Sequence, residues 1–130
     1  MKINILLVED QKLMRIGIKS LFNEYADMEI IGEAANGKEA IEKTKLIKPD
    51  IVLMDLGLPD ISGIDSAKQI LEHNNNVRII ALTSHINEEE VNLSLQAGIS
   101  AYVIKDISTD FLMNIIRMVK AGAMWLEIGR

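Results

Sequence analysis

Short apolar runs alternate along the chain with longer stretches in which apolar and polar residues are mixed. The four strongest runs lie at positions 3–8, 51–54, 77–82 and 101–104, and each is rich in Val, Ile or Leu. Such nearly continuous apolarity is typical of parallel strands that are buried on both faces of a sheet. A weaker run at 29–34 contains Gly32 and two charged residues, which predicts an edge strand.

The mixed stretches carry apolar residues three or four positions apart, which predicts five amphipathic helices. The fourth stripe consists of Val91 and Leu95 and ends at Gly98, which is expected to be a helix C-cap. Asn87 is an expected N-cap of this helix, and Ser108 or Thr109 of the fifth. The other stripes are formed by Met14, Ile18, Leu21, Phe22 and Tyr25; by Ala40, Ile41, Thr44 and Ile47; by Ile64, Ala67 and Leu71; and by Phe111, Leu112, Ile115, Ile116 and Val119.

The strand–helix unit therefore occurs five times in succession. This alternation predicts an α/β domain of the (βα)5 type with a parallel sheet and right-handed crossovers. Five units are too few for an eight-stranded barrel, so we expect an open, doubly wound, flavodoxin-like sheet. Because the second strand has the character of an edge, the expected order of the five strands is 2-1-3-4-5.

Polar side chains follow four of the predicted strands, at the point where each strand ends. In an open parallel sheet these ends lie along one edge, where ligands bind. Each residue alone has an ordinary interpretation as a loop residue or helix cap, but the set together favours a site. Its members are Glu9, Asp10, Asp55, Thr83, Ser84 and Lys105.

The three acids of this set point to a metal ion. Two carboxylates ~5 Å apart repel by roughly 3 kcal/mol at an effective dielectric constant of about 20, and Lys105 alone does not neutralise three of them. Mg²⁺ prefers a few carboxylate ligands completed by water, so it is the expected cofactor. Asp55 would then be a nucleophile toward phosphorus, with the amides at Leu56 and Ser84 as further donors to phosphoryl oxygens.

The composition removes several function classes. The chain has 130 residues, which fits one domain, and 14 basic against 19 acidic residues give a net charge of −5, which disfavours direct binding to nucleic acid. It lacks cysteine, so neither a disulfide framework nor a thiolate metal site is expected. Its apolar runs are too short to cross a bilayer, and the N-terminus lacks a secretory pattern. We therefore expect a cytoplasmic protein without membrane contact.

Four motifs occur in a fixed order along the chain. They are Val8-Glu9-Asp10, Asp55-Leu56-Gly57-Leu58-Pro59 followed by Gly63, Leu82-Thr83-Ser84, and Tyr102-Val103-Ile104-Lys105. By these motifs the chain resembles, from residue 2 to residue 122, the receiver domain of two-component response regulators. The segments at 13–18, 32–37 and 122–126 resemble the LuxR or NarL branch, in which a helix-turn-helix DNA-binding domain follows the receiver.

The resemblance implies a phosphoacceptor. By it, a sensor histidine kinase phosphorylates Asp55, and the Mg²⁺ ligands are Asp10, Asp55 and the backbone carbonyl of Gly57. Glu9 assists, directly or through water, although many relatives have an aspartate at this position. Lys105 contacts the phosphoryl group.

The resemblance also implies a switch. Thr83 is its hydroxyl residue, and Tyr102 is the aromatic residue that changes rotamer when Thr83 moves. The readout surface is then formed by the fourth helix, the fifth strand and the fifth helix, and homodimerisation is expected there or through the first and fifth helices. Residues 1–122 are the expected receiver domain, and 123–130 the expected start of a linker to an output domain that this chain does not contain. DNA would be contacted only through that output domain.

Three other interpretations compete with a phosphorylated receiver. A small aspartate-nucleophile phosphohydrolase needs a second acid two residues after Asp55, where this chain has Gly57, so we do not expect an enzyme. A flavin-binding module needs a Ser, Thr or Gly-rich loop after the first strand, where residues 9–12 are largely charged. The third is a pseudo-receiver that acts only by binding proteins, which the complete set of acids and Lys105 disfavours. Within the receiver interpretation itself, a free-standing receiver that acts through protein–protein interaction stays an alternative to one followed by an output domain.

Overall fold

The computed structural model describes residues 2–128, which form one sheet of six parallel strands with helices on both faces. The strand order is β2-β1-β3-β4-β5-β6, so the predicted order of the first five strands is confirmed. The elements are β1 (Ile3–Val8), α1 (Lys12–Phe22), β2 (Met28–Ala34), α2 (Gly37–Ile47), β3 (Ile51–Asp55), α3 (Gly63–His73), β4 (Arg78–Thr83), α4 (Glu88–Ala97), β5 (Ala101–Ile104), α5 (Thr109–Lys120) and β6 (Leu126–Ile128).

Two apolar layers hold the sheet between the helices. Successive residues of a strand point to opposite faces, so Ile5 and Leu7 of β1 enter one layer while Leu6 and Val8 enter the other. The first layer includes residues of α1 and α5, and the second includes residues of α2 and α3. This double burial explains why the central strands are continuously apolar in sequence.

The sheet continues past residue 122, where the sequence predicts the start of a linker. Residues 126–128 form the parallel strand β6 beside β5, and the Leu126 amide donates to the Ser100 carbonyl at 2.9 Å. Trp125 packs against the second apolar layer just before this strand. Residues 129 and 130 of the predicted linker lie outside the described residues. Within residues 2–128, no helix is long and apolar enough to span a membrane.

The ends of α4 agree with the sequence, but its buried face does not. The Asn87 side chain accepts from the Glu90 amide, and Gly98 has the left-handed φ of 91° that favours glycine at a C-cap. The predicted stripe of Val91 and Leu95 is wrong in its second member, because Leu95 is 50% exposed while Ser94 is fully buried. The face of α4 that contacts the domain therefore runs from position 91 to 94.

Candidate metal and phosphoryl site

Three carboxylates meet at the carboxyl ends of β1 and β3. The two strands are neighbours in register, with Val8 beside Met54, so Glu9 and Asp10 emerge next to Asp55. One carboxylate oxygen from each of these acids lies within 4.8 Å of the other two. Glu9 and Asp55 are buried, with 2% and 7% exposure, whereas Asp10 is exposed. The predicted convergence of the three acids is thus present, and it is open to solvent on the side of Asp10.

Lys105 joins the two buried acids. Its ammonium lies 3.1 Å from Glu9 Oε1 and 3.3 Å from Asp55 Oδ2. Each carboxylate also accepts one backbone amide at 3.0 Å, Glu9 from Gln11 and Asp55 from Gly57. One ammonium thus faces three acids, so the site keeps an excess of negative charge when all of them are ionised.

The pKa shifts reflect this crowding. Burial raises the pKa of Glu9, and the neighbouring Asp10 and Asp55 add to the rise against the opposing effects of Gln11 and Lys105. Burial lowers the pKa of Lys105, but its hydrogen bond to Glu9 and the charges of Asp55 and Glu9 outweigh burial, so the net shift is upward. The ammonium is therefore held in its charged form between the two acids.

The donor set fits a hard divalent cation. All three converging ligands are carboxylate oxygens, with no histidine or cysteine among them in the part of the chain that the structure describes. Mg²⁺ is commonly bound in this way, by one or two carboxylates with water in the remaining positions. Asp10 is exposed, so solvent reaches the cluster from its side. The residues present thus fit the Mg²⁺ that the sequence predicts.

The two expected switch residues are hydrogen-bonded to different acceptors. The Thr83 hydroxyl, at the end of β4, donates to the His85 carbonyl at 2.9 Å. Tyr102 is fully buried, and its phenol donates to Glu90 Oε1 at 2.7 Å. Ser84 is exposed in the loop after β4. In this conformation the Thr83 hydroxyl is therefore directed along its own loop.

One backbone amide after Asp55 is already hydrogen-bonded within the protein. The Leu56 amide, an expected phosphoryl donor, donates instead to the Leu82 carbonyl at 3.2 Å. The Gly57 amide is the one that reaches the Asp55 carboxylate. A Cβ at Gly63 would lie 2.7 Å from the Asp55 carbonyl oxygen, so glycine there allows α3 to start against the site.

Three further residues support the site and were missed by reasoning from sequence. Arg15 Nη1 donates to the Glu9 carbonyl at 2.6 Å, and Asp60 accepts from the Gly37 amide at 2.8 Å, which ties the loop after β3 to the start of α2. Glu90 accepts a hydrogen bond from the Tyr102 phenol. The sequence gives only a local signal for each residue. Arg15 is a charged residue on a helix, Asp60 is an acid in a loop, and Glu90 belongs to an acidic first turn of a helix.

Comparison with known proteins identifies the family. The profile described as response regulator receiver domain matches residues 5–117. The chain belongs to this family. The response regulator protein VraR of Staphylococcus aureus is 38% identical over 127 residues, which are 98% of this chain and 61% of that protein. This receiver chain therefore spans about three fifths of the length of that relative.

Solved structures of response regulators share the fold of this chain. A LuxR-family two-component response regulator from Aurantimonas sp. SI85-9A1 superposes with a TM-score of 0.90 at 30% identity, covering 96% of this chain and 89% of that one. The response regulator domain of Thermotoga maritima CheB gives 0.81 at 28% identity, covering 95% and 97%. The predicted receiver fold is confirmed, and response regulators of the LuxR family are among the relatives.

Proposed function

We propose that the chain is a phosphorylation-dependent signalling switch of a two-component system. Asp55 accepts a phosphoryl group from a sensor histidine kinase: an Asp55 carboxylate oxygen bonds to phosphorus while the bond from phosphorus to the kinase histidine nitrogen breaks. The observation that carries this proposal is the Asp55 carboxylate beside Lys105 in an over-negative, oxygen-only cluster. The domain assists its own phosphorylation and dephosphorylation, but it does not turn over an independent substrate.

Glu9, Asp10, Asp55 and the Gly57 carbonyl would hold Mg²⁺. The ion supplies positive charge for the oxygens of the phosphoryl group. Lys105 provides a second positive charge, which contacts a phosphoryl oxygen once the group is attached. Thr83 donates its hydroxyl to another oxygen and gives up its bond to His85. The Ser84 amide is a further donor, and the Leu56 amide becomes one only if it leaves the Leu82 carbonyl.

The output follows from the position of Thr83. Its loop leads into α4, so movement of Thr83 changes the surface formed by α4, β5 and α5. We propose that this surface controls homodimerisation and a C-terminal helix-turn-helix output domain that regulates transcription. The relative VraR extends beyond the matched region, which leaves length for such a module. DNA would be contacted through that module, because this chain carries a net charge of −5. A cytoplasmic location is part of the same proposal.

Mass spectrometry after treatment with acetyl phosphate and Mg²⁺ tests the phosphoacceptor. The wild type should gain the mass of one phosphoryl group in a hydroxylamine-labile adduct, and Asp55→Asn should gain none. Asp65→Asn is the matched control, because Asp65 is an exposed aspartate in α3 and should leave labelling unchanged. Labelling that persists in Asp55→Asn, or that is equal in the presence of a chelator, would contradict the proposal.

A further inference from the structure

The backbone of Glu9 is tied to the end of β2 through both its amide and its carbonyl. The Glu9 amide donates to the Ala34 carbonyl at 3.0 Å, and the Glu9 carbonyl accepts from Arg15 Nη1 at 2.6 Å. The same guanidinium reaches Glu33 Oε1 through its Nε at 3.3 Å. Because Glu33 and Ala34 are consecutive residues of β2, one strand end fixes the backbone on both sides of Glu9, directly and through Arg15.

The start of α1 lacks the usual contacts that fix a loop to a helix. Gln11 occupies the N-cap position, but its side chain makes no capping hydrogen bond, and the first turn contains no acidic residue. The Gln11 amide donates instead to the Glu9 carboxylate, an expected metal ligand. Arg15 lies one turn further along α1 and holds the Glu9 backbone without occupying a carboxylate of the cluster.

Arg15 is itself held in place by Glu33. The Arg15 side chain is only 18% exposed, against 45% for Lys19, which lies one turn later on α1 and pairs with the other oxygen of Glu33 at 2.7 Å. The hydrogen bond from Lys19 lowers the pKa of Glu33, and the charges of Lys19 and Arg15 lower it further against the effect of burial. The Glu33 carbonyl accepts from Lys43 of α2, so this residue is anchored at its backbone as well.

The charge of Arg15 alone would oppose a metal ion. The guanidinium contacts the backbone of Glu9, which belongs to the acidic cluster, so its positive charge disfavours a second cation there. A benefit of Arg15 to metal binding can therefore come only from geometry, through the orientation of the peptide between Glu9 and Asp10. The two effects have opposite signs, so the sign of a change in metal affinity distinguishes them.

We propose that Arg15 is a positioning residue for Mg²⁺, which holds the peptide between Glu9 and Asp10 so that the Asp10 carboxylate stays within the acidic cluster. Arg15 acts through the backbone and is not itself a ligand. Glu33 contributes by fixing Arg15. This inference rests on the metal site of the proposed function, and it concerns the domain before any phosphoryl group is attached.

The dissociation constant for Mg²⁺ tests the inference, measured by NMR titration of backbone amide shifts without a phosphoryl donor. Arg15→Ala should bind Mg²⁺ about tenfold more weakly than the wild type, as is typical when a group that orients a metal ligand is lost. Lys19→Ala is the matched control. It removes the same charge from α1 and breaks the shorter ion pair with Glu33, but Lys19 does not contact Glu9, so the variant should bind Mg²⁺ at least as tightly as the wild type.

Two further variants separate positioning from general stability. Arg15→Lys keeps the charge and one donor, and should recover part of the lost affinity. The double variant of Arg15→Ala and Glu33→Ala should bind no more weakly than Arg15→Ala alone, because Glu33 acts through Arg15. The titration follows signals of the folded protein, so a variant that is only less stable, as measured by urea unfolding in a chelator, would keep the dissociation constant of the wild type.

An Arg15→Ala variant that binds Mg²⁺ as tightly as the wild type, or more tightly, would overturn the inference. Equal weakening in Lys19→Ala would also overturn it, because the effect would then belong to Glu33 and not to the contact with Glu9. If Arg15→Ala does not fold, Arg15→Met, which keeps the aliphatic stem, decides by the same criterion.

The proposed function fails in a different way. A wild type that binds Mg²⁺ but is not labelled at Asp55 by acetyl phosphate would refute the phosphoacceptor, and the comparison of Arg15→Ala with Lys19→Ala would still decide the role of Arg15. A wild type without affinity for Mg²⁺ would refute both the metal site and this inference.

Discussion

The ammonium of Lys105 lies 3.3 Å from Oδ2 of Asp55, and the same ammonium reaches Glu9 at 3.1 Å. Lys105 itself is only 24% exposed at its side chain, so these contacts are shielded from bulk water. Lys105 thus has a structural role that needs no phosphoryl group: it compensates two buried acids at once. This role in stability can be measured separately from the proposed contact of Lys105 with a phosphoryl group.

Lys105→Met should destabilise the domain and make its stability depend more on Mg²⁺. Removing the ammonium leaves two buried carboxylates without their shared cation, which costs about 1 to 3 kcal/mol in the free energy of unfolding. Urea unfolding in a chelator should show this loss, and added Mg²⁺ should recover more stability in the variant than in the wild type.

Lys45→Met is the control for Lys105→Met, because Lys45 is exposed on α2. It removes the same charge from the chain and should leave both the stability in chelator and the response to Mg²⁺ as in the wild type. Equal stability of Lys105→Met and wild type in chelator would show that Glu9 and Asp55 do not need the ammonium.

Asp10→Asn should stabilise the domain in chelator while weakening Mg²⁺ binding. Asp10 is the exposed member of the acidic cluster, so its repulsion of Glu9 and Asp55 is screened, and we expect a gain of about 1 kcal/mol or less. Thermal melts with and without Mg²⁺ measure both effects. Glu72→Gln, an exposed acid of α3, changes the net charge equally and should alter neither. A melting temperature in chelator that does not rise in Asp10→Asn would argue against mutual repulsion of the acids.

The order of the first five strands and the convergence of the acids could be predicted from sequence because the sheet is parallel. Strands buried on both faces must be apolar throughout, as at Leu53 and Met54, so each strand end is marked by the first polar residue. The polar residues after adjacent strands are then neighbours whatever the loops do. This is why Glu9 and Asp55 could be placed together from their positions alone.

The contacts that sequence missed join positions that no local pattern connects. Glu90 meets Tyr102 across 12 positions and Asp60 meets Gly37 across 23, although each acid has a sufficient local explanation. The strand β6 has three residues, which is too short for a periodic signal. The prediction that Leu95 is buried was wrong because spacings of three and of four residues both fit one face of a helix. The apolar Leu95 was therefore preferred to the polar Ser94, which is the residue buried with Val91.

Gly63→Ala should disturb the site, whereas the same change at Gly17 should not. An alanine Cβ at Gly63 would lie 2.7 Å from both the Asp55 carbonyl oxygen and the Leu56 Cα, which are backbone atoms that cannot simply rotate away. We expect a loss of about 1 to 3 kcal/mol in the free energy of unfolding, together with slower phosphorylation by acetyl phosphate.

Gly17 is the matched position, because it lies within α1 and an alanine Cβ there would meet no atom within 4 Å apart from its chain neighbours and the backbone of its own helix. Gly17→Ala should stabilise the domain by about 0.5 to 1 kcal/mol and leave labelling of Asp55 unchanged. Equal effects of the two substitutions on stability would contradict the importance of the close approach at Gly63.

Asp60 ties the loop after β3 to the first turn of α2. Its two carboxylate oxygens accept from the Gly37 amide at 2.8 Å and the Lys38 amide at 2.9 Å. Burial alone would raise the pKa of Asp60, but these amides, with that of Ile61, lower it from its ordinary value of 3.8 to about 2. The loop that carries Gly57 is therefore anchored by an ionised acid at a helix N-terminus.

Asp60→Asn should remove a contribution to the free energy of unfolding that depends on pH in the acidic range. A lowered pKa in the folded state means that ionised Asp60 stabilises the domain fully above pH 3.8, and that this contribution disappears as the pH falls from there to about 2. The variant should thus be less stable than the wild type at pH 7, and the difference should narrow through this window and vanish near its lower end. Urea unfolding between pH 2 and pH 7 measures it, with Glu42→Gln, an exposed acid of α2, as the control expected to follow the wild type. A difference between Asp60→Asn and wild type that is the same at every pH would mean that Asp60 acts through its shape and not through its charge.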